Sequence, residues 1–224
     1  MKVDILGVKI DDIEMAEALV QVEQWIISPG KHYIVTPNPE FLVAAHKDTV
    51  FKKILNDADL SIPDGVGLKL SGKIKNTFSG TDFMEELIRV AAEKGFTAGF
   101  LGGKDGVAEK CAERLKRKYP TLKVSFTSAD AEAKIPPLDL LFVALGHIKQ
   151  EKWIAANLDK IPVHLAMGVG GAFDYLSGRV PRAPKWMRDL GFEWLFRLIM
   201  QPWRIKRQLA LGQYIRYLLA EYIS

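Results

Sequence analysis

The sequence has 224 residues, 48% of them hydrophobic, and a formal net charge of +4. Such a chain can form one globular unit with a sizeable core, and this composition excludes an intrinsically disordered protein. Its single cysteine excludes an internal disulfide. No uncharged apolar run approaches the roughly 18 residues that a membrane span needs. We therefore expect a cytoplasmic protein, which does not exclude contact with a membrane surface.

Short apolar runs alternate with helical patterns over most of the chain. Strands are predicted at residues 2–10, 32–35, 58–62, 98–101, 122–126, 138–145 and 163–167. The first helix is predicted after Asp11 or Asp12, with apolar residues at Ile13, Ala16, Val20, Trp25 and Ile26. Further helices are predicted at residues 41–45, 50–55, 79–94, 107–118 and 150–158. The alternation favours an α/β fold, a mainly parallel, Rossmann-like sheet with helices on both faces.

The pattern changes at Pro184, after which no strand is evident. Two helices are predicted at residues 185–200 and 203–222, separated by Pro202, with one apolar face formed by Leu211, Ile215, Leu218 and Tyr222. Between Arg179 and Arg207 there are eight basic and two acidic residues, so this segment carries +6 and the rest of the chain −2. We therefore predict an α/β domain over residues 1–183 and a basic helical appendage over residues 184–224.

The basic appendage has three interpretations. It could be a solvated helical face, or it could bind nucleic acid, although no nucleic-acid-binding module accompanies it. It could also lie on anionic lipid, with aromatic side chains at the interface and arginines on phosphate groups. The aromatic residues are Trp186, Phe192, Trp194, Phe196 and Trp203. Their number favours the lipid interpretation over nucleic acid, and the remaining apolar residues suggest a homo-oligomer.

Two predicted strands end in short polar segments that are held by prolines. The strand at residues 58–62 stops at Pro63 and is followed by Asp64 between Pro63 and Gly65, whereas the strand at residues 32–35 leads into Thr36 and Asn38. One interpretation of the first segment is an ordinary Pro-Asp-Gly turn. The other is a site at the carboxyl edge of the sheet, where ligands of α/β proteins bind.

Glycine-rich turns follow two further strands, at Gly102–Gly103 and at residues 168–171, which include Gly170 and Gly171. Such turns expose backbone N–H groups to phosphate, although tight turns alone would explain them equally well. Neither turn completes a dinucleotide fingerprint or a P-loop.

Asp57 and Asp59 fit a helix end better than a metal site, and the four histidines have no ligand spacing, so we expect no metal.

Taken together, seven segments resemble the WecG/TagA/CpsF family of bacterial glycosyltransferases. In chain order they read TPNPE (36–40), ADLSIPDG (58–65), SGTD (79–82), FLGG (100–103), LGHIKQE (145–151), GVGGAFD (168–174) and RAPKWMR (182–188). The resemblance implies an inverting, metal-independent transfer of N-acetylmannosamine or a related sugar from a UDP donor, with no cofactor. The acceptor would be a sugar on undecaprenyl diphosphate at the inner face of the cell membrane.

The resemblance also implies roles for individual residues. Asp64 matches the proposed general base, and Thr36 and Asn38 match pocket residues that contact the sugar or the acceptor. Gln150 matches a position near the donor. Three arginines match the basic appendage, which would fold over the pocket and neutralise the departing diphosphate: Arg197, Arg204 and Arg207. Two positions depart from the family pattern, because Thr77 stands where an arginine is common and Ile148 where a proline is common.

A second function is compatible with the same features. A non-catalytic module that binds a nucleotide or phosphate and docks on the membrane would account for the glycine turns and the basic appendage. It would not account for Asp64 and Asn38 at two strand ends. A nicotinamide-dependent oxidoreductase is a more distant alternative, because no complete dinucleotide fingerprint is present.

Overall fold

The structure is a computed structural model that describes residues 1–202 and 205–223, without the side chains of Asp189 and residues 206–208. Its elements form a six-stranded parallel sheet, a two-stranded hairpin and surrounding helices. The strands are β1 (Lys2–Ile5), β2 (Val8–Asp11), β3 (His32–Val35), β4 (Leu60–Ser61), β5 (Thr97–Gly102), β6 (Lys123–Ser128), β7 (Leu138–Ala144) and β8 (Val163–Gly168).

Ten α-helices lie in the described ranges. They are α1 (Met15–Ile27), α2 (Pro39–Lys47), α3 (Thr49–Asp57), α4 (Gly80–Lys94), α5 (Val107–Lys118), α6 (Lys149–Asn157), α7 (Ala172–Leu176), α8 (Lys185–Asp189), α9 (Glu193–Met200) and α10 (Ile205–Ile223). Short 3₁₀ helices occur at Val66–Ser71 and Leu158–Lys160. The predicted α/β fold and its C-terminal helices are therefore confirmed.

The main sheet has the strand order β4-β3-β8-β7-β5-β6. Successive side chains of a strand point to opposite faces, and in β7 this places Leu140 and Phe142 on one face and Leu141 and Val143 on the other. Helices α1, α4, α5 and α7 cover the first face. Helices α2, α3 and α6, together with the hairpin, cover the opposite face. The layers leave the carboxyl ends of β3, β4 and β8 next to one another.

The predicted first strand was wrong, because residues 2–11 form an antiparallel hairpin, β1–β2. Leu6 and Gly7 make its turn with φ of 55° and 81°. The predicted cap of α1 was also wrong, because neither Asp11 nor Asp12 caps α1 and Glu14 precedes its first residue. The predicted face is confirmed at Ile26, which is buried with Ala18 and Val22, and was wrong at Ala16 and Val20, which are exposed.

The C-terminal helices also differ from the prediction. Residues 185–200 form two helices, α8 and α9, because Gly191 adopts a φ of 77° between them. In α10 the fully buried side chain is Tyr214, and the predicted face was wrong at Ile215 and Tyr222, which are 40% and 93% exposed. Tyr214 packs in the cluster that also contains Phe41 and Phe51. None of the described helices is long and apolar enough to cross a membrane.

Candidate functional site at the carboxyl edge of the sheet

The candidate site is formed where three adjacent strands end. Thr36 follows β3, Asp64 lies three residues after β4, and the glycine-rich turn at 168–171 follows β8. In the sheet, β3 pairs with both β4 and β8. After β3 the chain continues in α2 on one face of the sheet, whereas after β8 it continues in α7 on the other face, which leaves a crevice between the two strand ends. Such a crevice is where open α/β sheets bind ligands.

Asp64 is held by hydrogen bonds on both its backbone and its carboxylate. Its N–H donates to the Pro37 carbonyl oxygen (3.1 Å). Its Oδ1 accepts a hydrogen bond from the Gly80 N–H (3.0 Å), and the Asn38 side chain also donates to the carboxylate. The residue is half-buried, so solvent reaches part of it. Its position therefore suits proton exchange with a bound molecule.

The environment of Asp64 raises its pKa to about 6 from an ordinary value of 3.8. Burial is the largest cause, because it disfavours the charged carboxylate. The hydrogen bonds from Gly80 and Asn38 act in the opposite direction, as does the charge of Arg197, whereas the charge of Glu193 adds to the rise. A carboxylate with this pKa is ionised at neutral pH and is a stronger base than an ordinary aspartate.

The first turn of α4 supplies the Gly80 N–H. Ser79 caps this helix by accepting a hydrogen bond from the Thr81 N–H at 3.2 Å. A Cβ atom at position 80 would lie 3.0 Å from the methyl group of Thr36, so a larger residue would force the two apart. Thr36 is buried. Its observed contact is therefore with the turn that binds Asp64, and the N-terminal end of α4 favours the ionised carboxylate.

Asn38 is engaged at both ends of its amide. Its Oδ1 accepts from the Phe41 N–H (3.1 Å) and caps α2, which leaves its nitrogen as the donor to Asp64. Pro39 at the first helical position fits this arrangement. Asn38 thus connects the end of β3 to the carboxylate that follows β4, and the structure brings the two predicted strand ends together.

Gln150 lies beside the site but is only 2% exposed. Its Oε1 accepts from the Gly170 N–H (3.0 Å), and its Nε2 donates to Oε1 of Glu151 (2.7 Å). Both ends of the amide are therefore hydrogen-bonded to protein groups, and Gln150 holds the glycine turn at residues 168–171 through the Gly170 N–H. Sequence reasoning missed Glu151, which is fully buried and whose pKa burial raises to about 7.

The two predicted glycine turns have different surroundings. A Cβ atom on Gly102, whose φ is 99°, would lie 2.6 Å from the carbonyl of Ala144, and the Gly103 N–H donates to that carbonyl oxygen (3.1 Å). Close approach of β5 and β7 thus requires this glycine. Gly171 instead contacts the guanidinium of Arg197, and any side chain there would collide with it.

Arg197 is the one predicted arginine of the appendage whose side chain the structure describes. Its guanidinium lies over the ring of Tyr175, 4.6 Å from the ring centroid, and against the backbone of Gly171. This stacking is a cation–π contact. Arg204 and the side chain of Arg207 lie outside the described residues. The predicted site therefore brings Asp64, Asn38, Thr36, Gly170, Gly171 and Arg197 together, with Gln150 beneath them.

Two further groups of charged residues surround the site and were missed from the sequence. Arg182 pairs with Asp82 (2.7 Å) and Glu193 (3.2 Å), and Arg188 also pairs with Asp82 (3.1 Å). These four residues form the α4–α9 ion-pair network. The segments 79–82 and 182–188 were both singled out from the sequence, but nothing in them indicated that Asp82 and Arg182 meet.

The second group fastens the loop that carries Asp64. Oδ2 of Asp11 accepts from the Ser61 N–H (2.9 Å), and Oδ1 of Asp12 accepts from the Asn76 N–H (2.9 Å). Two neighbouring carboxylates at the end of the hairpin thus hold both ends of the segment 61–76.

Within residues 1–202 and 205–223, no group of three or more His, Cys, Asp or Glu side chains is placed to hold a metal ion.

The arrangement places a carboxylate and a guanidinium within range of each other's charge. A carboxylate whose pKa is near neutral can accept a proton, and a guanidinium can stabilise a negative charge that develops on a bound molecule. Bond-making at an alcohol oxygen, with departure of an anionic group, requires these two functions. The geometry therefore suits a reaction in which a group is transferred to an alcohol oxygen while an anionic leaving group departs.

Comparison with known proteins identifies relatives of this chain. A relative from Bacillus subtilis (strain 168), named N-acetylglucosaminyldiphosphoundecaprenol N-acetyl-beta-D-mannosaminyltransferase, is 35% identical over 214 residues, covering 85% of this chain and 83% of the relative. Relatives with the same name from Bacillus spizizenii and Staphylococcus aureus (strain MW2) are 32% identical (91% and 85% covered) and 28% identical (92% and 87% covered). The family model described as "Glycosyl transferase WecG/TagA/CpsF family" matches residues 3–224. The chain therefore belongs to the WecG/TagA/CpsF family of glycosyltransferases.

Proposed function

We propose that this protein transfers N-acetylmannosamine, or a closely related sugar, from a UDP donor to N-acetylglucosamine carried on undecaprenyl diphosphate. Membership of the family supports glycosyl transfer, and the names of the relatives support this donor sugar and acceptor. The observation that carries the proposal is Asp64, a carboxylate at the sheet edge with a near-neutral pKa and hydrogen bonds from Gly80 and Asn38.

In the proposed reaction Asp64 is the general base. Its carboxylate takes the proton from the acceptor hydroxyl while that oxygen forms a bond to the anomeric carbon of the donor. The bond between the anomeric carbon and the diphosphate oxygen breaks, and its electron pair leaves with UDP. Attack from the face opposite the leaving group converts an α-linked donor into a β-linked product. Thr36 and Asn38 border the acceptor side of this crevice.

The proposal places the diphosphate at the turn after β8. Arg197 lies there against Gly171, and the Gly170 N–H is fixed by Gln150. Arg197 would neutralise the leaving UDP in the way that a metal ion does in other transferases, and we propose that Arg204 and Arg207 assist it. Gly102 and Gly103 would border the nucleotide. On this basis the reaction needs no metal and no cofactor.

The direct test is transfer from UDP-N-acetylmannosamine to a synthetic polyprenyl-diphosphate N-acetylglucosamine, with UDP release and disaccharide measured separately. We expect turnover that survives EDTA and a β-linked product by NMR. Asp64→Asn should lower turnover about 100- to 10,000-fold, whereas Asp57→Asn, on the exposed end of α3, should not. Near-normal turnover of Asp64→Asn would contradict the base assignment. UDP binding without transfer by the unmodified protein would favour a non-catalytic binding module.

We also propose that the appendage, residues 184–224, docks on the inner face of the cell membrane. Exposed apolar side chains lie along α8, α9 and α10: Trp186, Leu190, Phe192, Trp194, Ile199, Met200, Ile205 and Leu209. Lysines and arginines accompany them, which is the composition of an interfacial helix on anionic lipid. Sedimentation with vesicles that contain phosphatidylglycerol should therefore pull down the protein, and Trp186→Gln with Trp194→Gln should weaken this binding. Unchanged binding would contradict it.

The exposed apolar residues are also compatible with a homo-oligomer, and we propose self-association through the same helices in the absence of lipid. Light scattering over a range of protein concentrations tests this proposal. Addition of vesicles should then compete with self-association, because both would cover the same side chains. A mass that stays monomeric at all concentrations would contradict self-association without affecting the transfer reaction.

A further inference from the structure

The α4–α9 ion-pair network joins the last helices of the chain to the helix that contacts Asp64. Its centre is Arg182, whose guanidinium reaches three groups at once. Nη1 lies 2.7 Å from Asp82, Nε lies 3.2 Å from Glu193, and Nη2 donates to Oγ of Ser79 (3.5 Å). A planar fork of donors makes several such contacts in a fixed geometry, which a lysine does not.

The network is partly shielded from water. The exposed fractions of the side chains are 18% for Arg182, 23% for Glu193 and 33% for Asp82. Solvent screens such pairs less than it screens pairs on an open surface. Arg89 of α4 forms ion pairs with Glu86 and Glu93 that are more open to solvent, since the Arg89 side chain is 41% exposed. Both arginines pair with carboxylates of α4, so they offer a matched comparison.

Asp64 interacts with both helices that the network joins, with α4 by a hydrogen bond and with α9 by charge. Ser79 and Gly80 begin α4, and the Gly80 N–H donates to the Asp64 carboxylate. From α9, Glu193 and Arg197 are the charged side chains that act most on Asp64, with opposite signs. The remaining contacts, the amide of Asn38 from α2 and the Gly80 N–H, carry no titratable group, and Asp82 is paired with Arg182 and Arg188.

We infer that Arg182 is a positioning residue that holds α9 against the first turn of α4 and pairs Glu193, which limits the negative charge that Glu193 exerts on Asp64 beside Arg197. Glu193 and Arg197 are four residues apart on α9 and lie on one side of it. Glu193 already opposes Arg197 at the base, and without Arg182 it would oppose it more strongly. Arg182 contacts Asp82, Glu193 and Ser79, and it acts on Asp64 through α9.

This inference predicts opposite effects of removing the two partners. Arg182→Gln leaves Glu193 unpaired beside Asp64, which raises the pKa of Asp64 further. Glu193→Gln removes the negative charge, which lowers that pKa. Each shift should be at least about 0.5 pH unit for charges at this distance in a partly shielded site. A role in folding alone would weaken both variants without moving the midpoint in opposite directions.

The experiment is an NMR titration of the full-length protein with ¹³C-labelled aspartate, the Asp64 signal being assigned with Asp64→Asn. We expect the Asp64 midpoint to rise in Arg182→Gln, to fall in Glu193→Gln and to stay unchanged in Arg89→Gln. Arg182→Lys, which keeps the charge but loses the fork, should fall between Arg182→Gln and the unmodified protein. The acidic limb of the pH–rate profile should shift in the same directions.

The outcomes separate this inference from the proposed function, on which the pH–rate measurement rests. The titration needs no turnover, so a protein without transfer activity contradicts the proposed function and leaves the titration to decide about Arg182. Shifts of equal sign in Arg182→Gln and Glu193→Gln, or a shift in Arg182→Gln no larger than that in Arg89→Gln, overturn the inference. If Arg182→Gln does not fold, an unmoved midpoint in Glu193→Gln overturns it.

Discussion

Helices α9 and α10 contact the same α/β body by different means. Helix α10 buries Tyr214 completely in a cluster with residues of α2 and α3, and Tyr217 stacks on His46 with ring centroids 4.1 Å apart. None of the eight residues of α9, all of which the structure describes, is fully buried. This helix is held by the pair of Glu193 with Arg182 and by the contacts of Arg197.

The difference indicates a division of roles between the two helices. Burial of apolar surface is insensitive to ionic strength and contributes to the stability of the whole fold. Ion pairs at the rim of a crevice contribute less to stability and weaken with salt. Helix α10 therefore anchors the C-terminal segment. Helix α9 presents charged groups to the site, and displacing it costs less free energy than displacing α10.

The largest effect that could break this comparison is expected at Tyr214. Tyr214→Ala should lower the free energy of unfolding by about 3–5 kcal/mol, because it removes a large, fully buried side chain and leaves a cavity. Urea denaturation measures this loss. Tyr214→Phe is the control and should cost little, since the hydroxyl makes a long hydrogen bond of 3.5 Å to the Leu68 carbonyl oxygen. A loss below about 1 kcal/mol in Tyr214→Ala would show that α10 is not an anchor.

Replacement of Arg197 on α9 is expected to lower activity strongly and stability only slightly. Arg197→Ala should lower transfer about 100-fold by removing a cation from the proposed diphosphate position. Thermal unfolding should change by less than about 2 °C, because the helix buries no residue. Arg216 on α10, whose guanidinium lies over Tyr217 at 5.7 Å, offers a matched control. Arg216→Ala should keep nearly full activity, and an equal loss in both variants would remove the special role of α9.

A third test uses the pH dependence of the free energy of unfolding at Asp64, which interacts with Glu193 and Arg197 of α9. Its pKa of about 6 in the folded protein lies above the ordinary 3.8, so the folded protein binds this proton more tightly than the unfolded chain does. Stability from protonated Asp64 is present below about pH 4 and is lost as the pH rises through 6. Asp64→Asn should therefore be more stable than the unmodified protein at pH 8, by about 1–2 kcal/mol, but not at pH 4. Equal differences at the two pH values would contradict the raised pKa.

The smallest effect concerns salt. Raising NaCl from about 50 to 500 mM shortens the range of charge interactions about threefold. Trypsin cleavage at Arg197 of α9 should then become a few-fold faster, whereas cleavage at Arg216 of α10 should not. Mass spectrometry of the fragments distinguishes the two sites. Equal acceleration at both arginines would show that the helices are released together.

Most of the main sheet could be predicted, because its strands are buried on both faces and appear as continuous apolar runs between turn residues. Leu140 to Val143 are an example. The hairpin was missed, since its turn contains Leu6 at a positive φ, which local sequence rules do not anticipate for leucine. The break at Gly191 was missed because a single glycine is tolerated in many helices.

The candidate site was predictable only in part, and for a different reason. Prolines and glycines at strand ends indicated Asp64 and Asn38, and parallel strands bring such ends together. Contacts between distant charged residues have no local pattern, so the pairing of Asp82 with Arg182 could not be inferred. The burial of Gln150 likewise depends on Glu151 and Gly170, whose positions only the fold determines.

The hairpin outside the main sheet has a practical consequence for anyone who alters the amino terminus. Asp11 and Asp12 fasten the two ends of the loop that presents Asp64. Trimming the first dozen residues, or fusing a bulky tag in a way that displaces them, would remove both attachments of that loop. It would also uncover the core that Ile5, Val8 and Ile10 fill, so amino-terminal edits should be screened for stability and for function.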